Sequence, residues 1–353
     1  MNICFLEGDM SRRGGTERMT AILANELCQR HRVWILSLHL ADGQPFFPLD
    51  ERVQHRTVLA GSGKLGMLRQ IQEIHTFLRQ EKIDCVINVD TGMGVYGILA
   101  AVGTDAKVIT WEHSNFFNNW NSRTFPYLRR FAAKHSDTMV VLTERDRENY
   151  RTNIPSKTPV YVIHNPAARH EFRYDAESKV ILSAGLLLPI KGYDKAVAAA
   201  AKVLPQRPDW KWIICGEGPE REHLEQLIAA AGLREQMLLP GSVSNMDEQY
   251  QKAAIFAMTS QMEGLPMVLL EAKSWGLPLV SFDIMTGPGE IIRDGVNGYL
   301  VEPDNVDEMA KRLAELMDNP VLREEFSARS QLDMEQFDIA HIVEQWESVL
   351  EGL

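Results

Sequence analysis

Short runs rich in β-branched and aromatic residues alternate with helix-spaced apolar residues along most of the chain, and this alternation constrains the fold most. Parallel strands can be joined only through long crossovers, so strands separated by helices predict parallel sheets covered by helices. Two series are visible. The first has strand candidates at 2–8, 32–38, 53–59, 85–90, 107–113 and 138–143. Between them, Met19, Ile22, Leu23 and Leu27, and later Leu68, Ile71, Ile74 and Leu78, recur at helical spacing. After a further run at 160–166, Asn165-Pro166 and the polar stretch ARHEFRYDAESK break the pattern. The second series follows at 179–185, 210–216, 236–241, 254–260, 278–283 and 297–303. The expectation is an α/β chain of two tandem Rossmann-like domains, 1–166 and 167–336, with a cleft between them. A helical tail, 337–353, carries Ile342, Val343, Trp346, Val349 and Leu350 on a face that must pack on something. No internal repeat or low-complexity segment is evident.

At roughly 150 residues per domain, 353 residues fit two domains, each with its own core. A net charge of −11 disfavours sequence-independent nucleic-acid binding, and no nucleic-acid partner is expected. Cys4, Cys28, Cys85 and Cys215 form no C-x-x-C pair and mostly sit in strand-like runs, which predicts reduced, buried thiols in a cytoplasmic protein. No leader-like start and no apolar run of membrane-spanning length is seen.

Gly61-Ser62-Gly63-Lys64-Leu65-Gly66 fits G-x-G-x-x-G, but it follows the third strand instead of the first, and a flexible loop is the preferred reading. Ser11 to Glu17 is better placed. Gly14-Gly15 joins the first strand to the first helix, where backbone N–H groups can meet an anion. Glu112-His113-Ser114-Asn115 emerges at the end of a strand, where a reactive histidine would sit, although a lone histidine is more often a hydrogen-bonded structural residue. The string from Glu263 to Glu271, E-G-L-P-x-V-x-x-E, turns at Gly264 and Pro266 into an apolar helix. Its first N–H groups suit a diphosphate, and its two carboxylates suit sugar hydroxyls.

Together with Lys191-Gly192-Tyr193-Asp194, Cys215-Gly216-Glu217-Gly218-Pro219 and Gly287-Pro288-Gly289-Glu290, these strings resemble the retaining GT-B glycosyltransferases of family 4 over essentially the whole length. Within that family the chain looks most like bacterial enzymes of polysaccharide and lipid-linked oligosaccharide assembly, including N-acetylgalactosamine and galactose transferases. The resemblance implies that Glu271 binds ribose, Glu263 the donor sugar, and the amides of Met267 and Val268 the diphosphate, with Gly264 and Leu265 in the turn that leads to them. It implies Lys191 on the leaving diphosphate; Gly216, Glu217 and Val243 around the nucleoside; Gly15 and Thr16 beside the phosphates; and His113 near the transferred sugar. The tail is implied to cross back onto the first domain. One departure stands out: where family members carry G-R-L before K-G, this chain has Gly185-Leu186-Leu187, and Leu186 cannot donate a hydrogen bond. Arg12 or Arg13 could then compensate.

The reaction so implied transfers a hexose or N-acetylhexosamine from a UDP-sugar to a hydroxyl of a glycan acceptor carried on a lipid diphosphate, with retention. No Asp-x-Asp occurs, so neither a metal nor another cofactor is expected. Lys64, Arg69, Arg79, Arg129, Arg130 and Lys134 concentrate positive charge in the first domain and suggest peripheral contact with the inner face of a membrane, or else solvated helix faces. A UDP-sugar epimerase of similar build and a weakly catalytic nucleotide-binding subunit stay open as alternatives.

Overall fold

The computed structural model describes residues 1–58 and 63–353. It divides into two units, 1–166 with 339–353, and 167–338.

In the first unit β1 (Asn2–Asp9), α1 (Gly15–Leu27), β2 (Arg32–His39), β3 (Gln54–Thr57), α2 (Gly63–Gln80), β4 (Cys85–Val89), α3 (Thr91–Ala101), β5 (Lys107–Trp111), α4 (Phe125–His135), β6 (Thr138–Val141), α5 (Glu144–Asn153) and β7 (Val160–Val162) follow in order. The strands form one parallel sheet, β3-β2-β1-β4-β5-β6-β7. Every residue of β4 is buried, which its run of Cys, Val and Ile requires of a strand covered on both faces. Thr143 starts α5 by accepting the Asp146 N–H at 3.1 Å. Of the glycine-rich string read as a loop, Gly61 and Ser62 lie outside the described residues. The rest is a correction: Gly63 opens α2, so the helix begins before the apolar periodicity that starts at Leu68.

The second unit holds β8 (Val180–Ala184), α6 (Tyr193–Val203), β9 (Lys211–Cys215), α7 (Arg221–Ala230), β10 (Met237–Gly241), α8 (Met246–Lys252), β11 (Ile255–Met258), α9 (Met267–Ser274), β12 (Leu279–Phe282), α10 (Pro288–Ile291), β13 (Gly298–Val301), α11 (Val306–Asp318) and α12 (Pro320–Ala328). Its sheet runs β10-β9-β8-β11-β12-β13, all parallel. Met309, Leu313, Leu316 and Met317 of α11 and Ala196, Ala200 and Val203 of α6 enter its core around Trp210 and Trp212.

Both sheets reverse direction of growth beside their first strand, at β1/β4 and at β8/β11. Ligands of open α/β sheets sit at such points, beyond the carboxyl ends of the strands. The last helix, α13 (Ile339–Glu351), belongs with the first unit. Trp346 meets Trp111 edge-on at 5.1 Å, and Glu347 accepts from or pairs with His31 at 2.7 Å. Burial of Ile342, Trp346, Val349 and Leu350 is worth about 1.5–3 kcal/mol each. All four cysteines are free and buried. Among the described residues, no helix is long and apolar enough to cross a membrane.

Candidate active site

In the second unit the residues singled out in sequence gather at the β8/β11 end. The 3-10 turn Pro189–Lys191 ends at Gly192, whose φ of 62° is left-handed. A Cβ there would lie 2.3 Å from the Thr259 carbonyl, so only glycine lets this connection rest against the end of β11. The Thr259 hydroxyl donates to the Lys191 carbonyl at 3.1 Å, and Lys191 Nζ reaches Glu263 Oε1 at 2.6 Å. Gly287, at φ 100°, plays the same part on the other side: a Cβ would meet Pro266 Cδ at 2.4 Å, and Thr286 donates to the Glu263 carbonyl at 2.6 Å. Two turns thus clamp the Glu263–Pro266 segment in front of α9.

Met267 opens α9 and Val268 follows; among the described residues no side chain caps this end, which leaves its leading N–H groups and the positive end of the helix dipole without a side-chain partner. Gly264 and Leu265 form the turn, with Leu265 buried. Glu271 accepts a hydrogen bond from the Tyr250 hydroxyl at 2.8 Å. Gly216 follows β9, Glu217 is gripped by Arg221 at 2.8 Å through both carboxylate oxygens, which holds its carboxyl below the usual range, and Val243 lies half-buried beyond β10. Leu186 is exposed, at 62%.

The first unit is built differently. Glu7 lies near the end of β1, Asp90 follows β4, and Glu112 and His113 follow β5. Glu112 and Arg129 are fully buried, at 0% and 1% exposure, and pair at 3.3 Å. The same carboxylate takes hydrogen bonds from Tyr150 at 2.9 Å and from the Thr91 hydroxyl. Burial, and then the charge of Glu112, pushes Asp90 up to about 7. Burial, followed by the charge of Glu17, pushes Glu7 up to about 8. Burial also lifts Asp146 to about 7. The His113 ring lies 4.1 Å from that of Trp111; burial lowers its pKa to about 3, and its enclosed Nε2 has no partner among the described residues.

Gly15 and Thr16 begin α1, as the anion reading needs, but Glu17 curls back over Gly14: a Cβ on that glycine would lie 2.1 Å from Glu17 Oε2. A carboxylate of the chain itself already faces this helix start. Arg12 pairs with Glu17 at 3.7 Å and Arg13 covers the Phe46 ring at 4.7 Å. The basic cluster needs correction as well. Arg129 cannot face a membrane, because it is spent on Glu112 inside the unit. Arg69, Arg79, Arg130 and Lys134 are exposed, and so are Leu65 and Leu68 on α2.

A family model described as glycosyl transferases group 1 matches residues 165–333, and one described as glycosyltransferase family 4 matches residues 13–168. The chain belongs to this family of glycosyltransferases. It is 28% identical over 353 residues to the amylovoran biosynthesis glycosyltransferase AmsD of Erwinia amylovora, spanning 97% of each chain. It is 27% identical over 359 residues to a Campylobacter jejuni α-1,4-N-acetyl-D-galactosaminyltransferase named for a diNAcBac-PP-undecaprenol-linked acceptor, spanning 98% of this chain and 97% of that one. Among solved structures, Anabaena Alr3699/HepE in complex with UDP and glucose superposes with a TM-score of 0.85 at 19% identity, over the whole of both chains. That likeness fixes the architecture of this glycosyltransferase as two GT-B Rossmann-like domains.

Proposed function

We propose that this glycosyltransferase moves a hexose or N-acetylhexosamine from a UDP-sugar to a hydroxyl of a glycan carried on a lipid diphosphate, with retention of configuration, in the assembly of a bacterial surface polysaccharide or oligosaccharide. The observation that carries the reading is the joining of Lys191 to Glu263 in front of the uncapped start of α9, with Glu271 on the same helix. The bond from the anomeric carbon to the diphosphate breaks, and its electron pair leaves with the diphosphate. Charge growing there is met by Lys191, which has two N–H donors beyond the one used on Glu263, and by the α9 amides. Glu263 holds the donor sugar and Glu271 the ribose. The acceptor oxygen forms the new bond, and its proton passes to the departing phosphate. His113, with an enclosed and unpartnered Nε2, supplies a contact to the transferred sugar.

The names of the Erwinia and Campylobacter relatives support the polysaccharide and lipid-linked setting. The absence of Asp-x-Asp supports metal independence. Exposed Leu65 and Leu68 beside Arg69 support peripheral contact of α2 with an anionic membrane.

The test is a panel of UDP-glucose, UDP-galactose and their N-acetyl forms, scored for thermal stabilisation and for UDP release with and without undecaprenyl-diphosphate-linked oligosaccharide, in excess EDTA. One UDP-sugar is expected to stabilise the protein and be consumed faster with acceptor. Stabilisation by no UDP-sugar, or turnover only after manganese is restored, would sink the reading.

A further inference from the structure

We infer that Arg129 and Glu112 are positioning residues that hold the loop carrying His113 in its working geometry. The inference rests on the reading of His113 given above and names what holds that residue in place. After β5 the chain has no regular structure as far as α4, yet its backbone is pinned at alternate residues. The Ser114 N–H donates to Glu112 Oε1 at 2.9 Å, the Phe116 N–H to Asp146 Oδ1 at 2.9 Å, and the Asn118 carbonyl accepts from Arg129 Nη1 at 2.5 Å. Asn115 Oδ1 closes the remaining turn by accepting the Phe117 N–H at 2.7 Å.

All three pins run into one buried set of charges. Glu112 Oε2 takes Arg129 Nε at 3.3 Å, the Tyr150 hydroxyl at 2.9 Å and the Thr91 hydroxyl. Arg129 therefore spans two points at once, the carboxylate at the base of the loop and the carbonyl further along it. Phe116 packs edge-on against Tyr150 at 4.8 Å and beside Trp120 at 4.9 Å, which keeps the pinned backbone from sliding. Among the described residues, His113 has no bond through Nε2 to orient its ring. Its ring lies 4.1 Å from that of Trp111, and the next residue in the chain, Ser114, is pinned through its N–H. A lysine at 129 keeps the charge but offers a single ammonium where the guanidinium fork reaches two acceptors. Neither Arg129 nor Glu112 has surface left for a substrate, so any effect on turnover must pass through the loop.

The experiment is kinetic and spectroscopic. UDP release is measured with the best UDP-sugar of the panel for wild type, Arg129→Lys, His113→Ala and the double variant, and the His113 imidazole nitrogens are followed by NMR at fixed pH in the 15N-histidine-labelled protein, assigned with His113→Ala. Arg129→Lys is expected to lower kcat 10- to 100-fold with KM within twofold, to move the His113 resonances, and to change kcat less than threefold in the His113→Ala background. Full multiplication of the two losses, or wild-type His113 resonances in folded Arg129→Lys, would overturn the proposal. If Arg129→Lys does not fold, Tyr150→Phe removes one donor to Glu112 and is expected to give the same pattern at 3- to 10-fold; a change in KM alone, or none, would equally overturn it. If His113→Ala turns over like wild type, the functional reading of His113 fails, and the imidazole shift alone decides: moved supports the positioning, unmoved overturns it.

Discussion

The two units have sheets of matching order but make their candidate sites from opposite materials. In the second unit the site is backbone: glycines at 192 and 287 let turns approach closely, a helix start with no side-chain cap among the described residues presents its amides, and polar side chains such as Lys191 and Glu263 pair near solvent. In the first unit it is buried charge, in which Glu112, Arg129, Asp90, Asp146 and Tyr150 occupy one interior and fix an irregular loop from beneath. A backbone site tolerates loss of a side chain, because its pairs lie within reach of water that can take over a lost bond. A charge network does not, because removing one member strands the others away from water.

The largest expected effect follows from that asymmetry. Arg129→Met leaves the Glu112 carboxylate buried without its counter-charge and is expected to cost about 3–5 kcal/mol of first-unit stability, as broken buried pairs do. Adding Glu112→Leu should recover only part of it, since Tyr150, Thr91 and the Ser114 N–H lose their acceptor too. Urea unfolding followed by proteolysis of each unit checks this. A midpoint for the first unit within error of wild type would break the comparison.

Lys191→Ala is next, and should leave stability nearly unchanged while lowering kcat by about 10²- to 10³-fold, by analogy with loss of one oxyanion-hole donor. Glu271→Ala should chiefly weaken UDP binding and Glu263→Ala chiefly lower turnover if, as proposed, one meets ribose and the other the reacting sugar. Titration calorimetry with UDP beside initial rates separates them, and equal losses in both measures for both variants would blur the assignment.

The pH response should divide the units as well. Burial raises Glu7 to about 8 and Asp90 and Asp146 to about 7 in the folded state, above an ordinary carboxylate. The folded protein binds these protons more tightly than the unfolded chain. Their contribution is thus complete below about pH 4 and is lost as pH rises through 7 and 8, by about 1.4 kcal/mol per pH unit for each group titrating. His113 runs the other way: its neutral form is favoured on folding, so its contribution holds above its ordinary value and fades as pH falls toward 3. First-unit unfolding between pH 6 and 9, followed through Trp111, Trp120 and Trp346, should move to lower urea, and Glu7→Gln should flatten the slope. A second unit that lost as much would refute the division.

The same contrast explains what the sequence disclosed. The Glu263 to Glu271 string is legible because a turn and the helix after it are contiguous, so spacing alone brings their groups together. Glu112, Arg129 and Tyr150 lie on separate elements, and no local pattern joins them. Arg129 even reads as one more surface cation. The available signal was its place on α4: Ala132 and Ala133, three and four residues on, are buried, so helical spacing already turned position 129 inward. Glu17 was not legible for a related reason. A carboxylate in the first turn of α1 reads as a favourable charge at a helix start, whereas here it occupies the place above Gly14 where an anion was expected. Most strands came out shorter than their apolar runs, as with 107–113, where only Lys107–Trp111 pairs and the last two residues belong to the site.

The smallest expected effect gives the sharpest test, because one substitution can be made in both settings. Tyr150 donates to Glu112 at 2.9 Å and Tyr250 to Glu271 at 2.8 Å, so the two bonds are alike in geometry and differ in what surrounds the carboxylate. Glu271 is half-exposed, and water can replace the lost hydroxyl; Tyr250→Phe should therefore cost about 0.5–1.5 kcal/mol, read as a weakening of UDP binding of roughly threefold to tenfold with the melting temperature little changed. Glu112 is sealed from water, so Tyr150→Phe leaves a buried acceptor short and should cost about 1–3 kcal/mol in stability. Equal stability losses in the two variants would mean that hydrogen-bond geometry, and not burial of the partner, sets the cost, and the contrast drawn between the units would have to be given up.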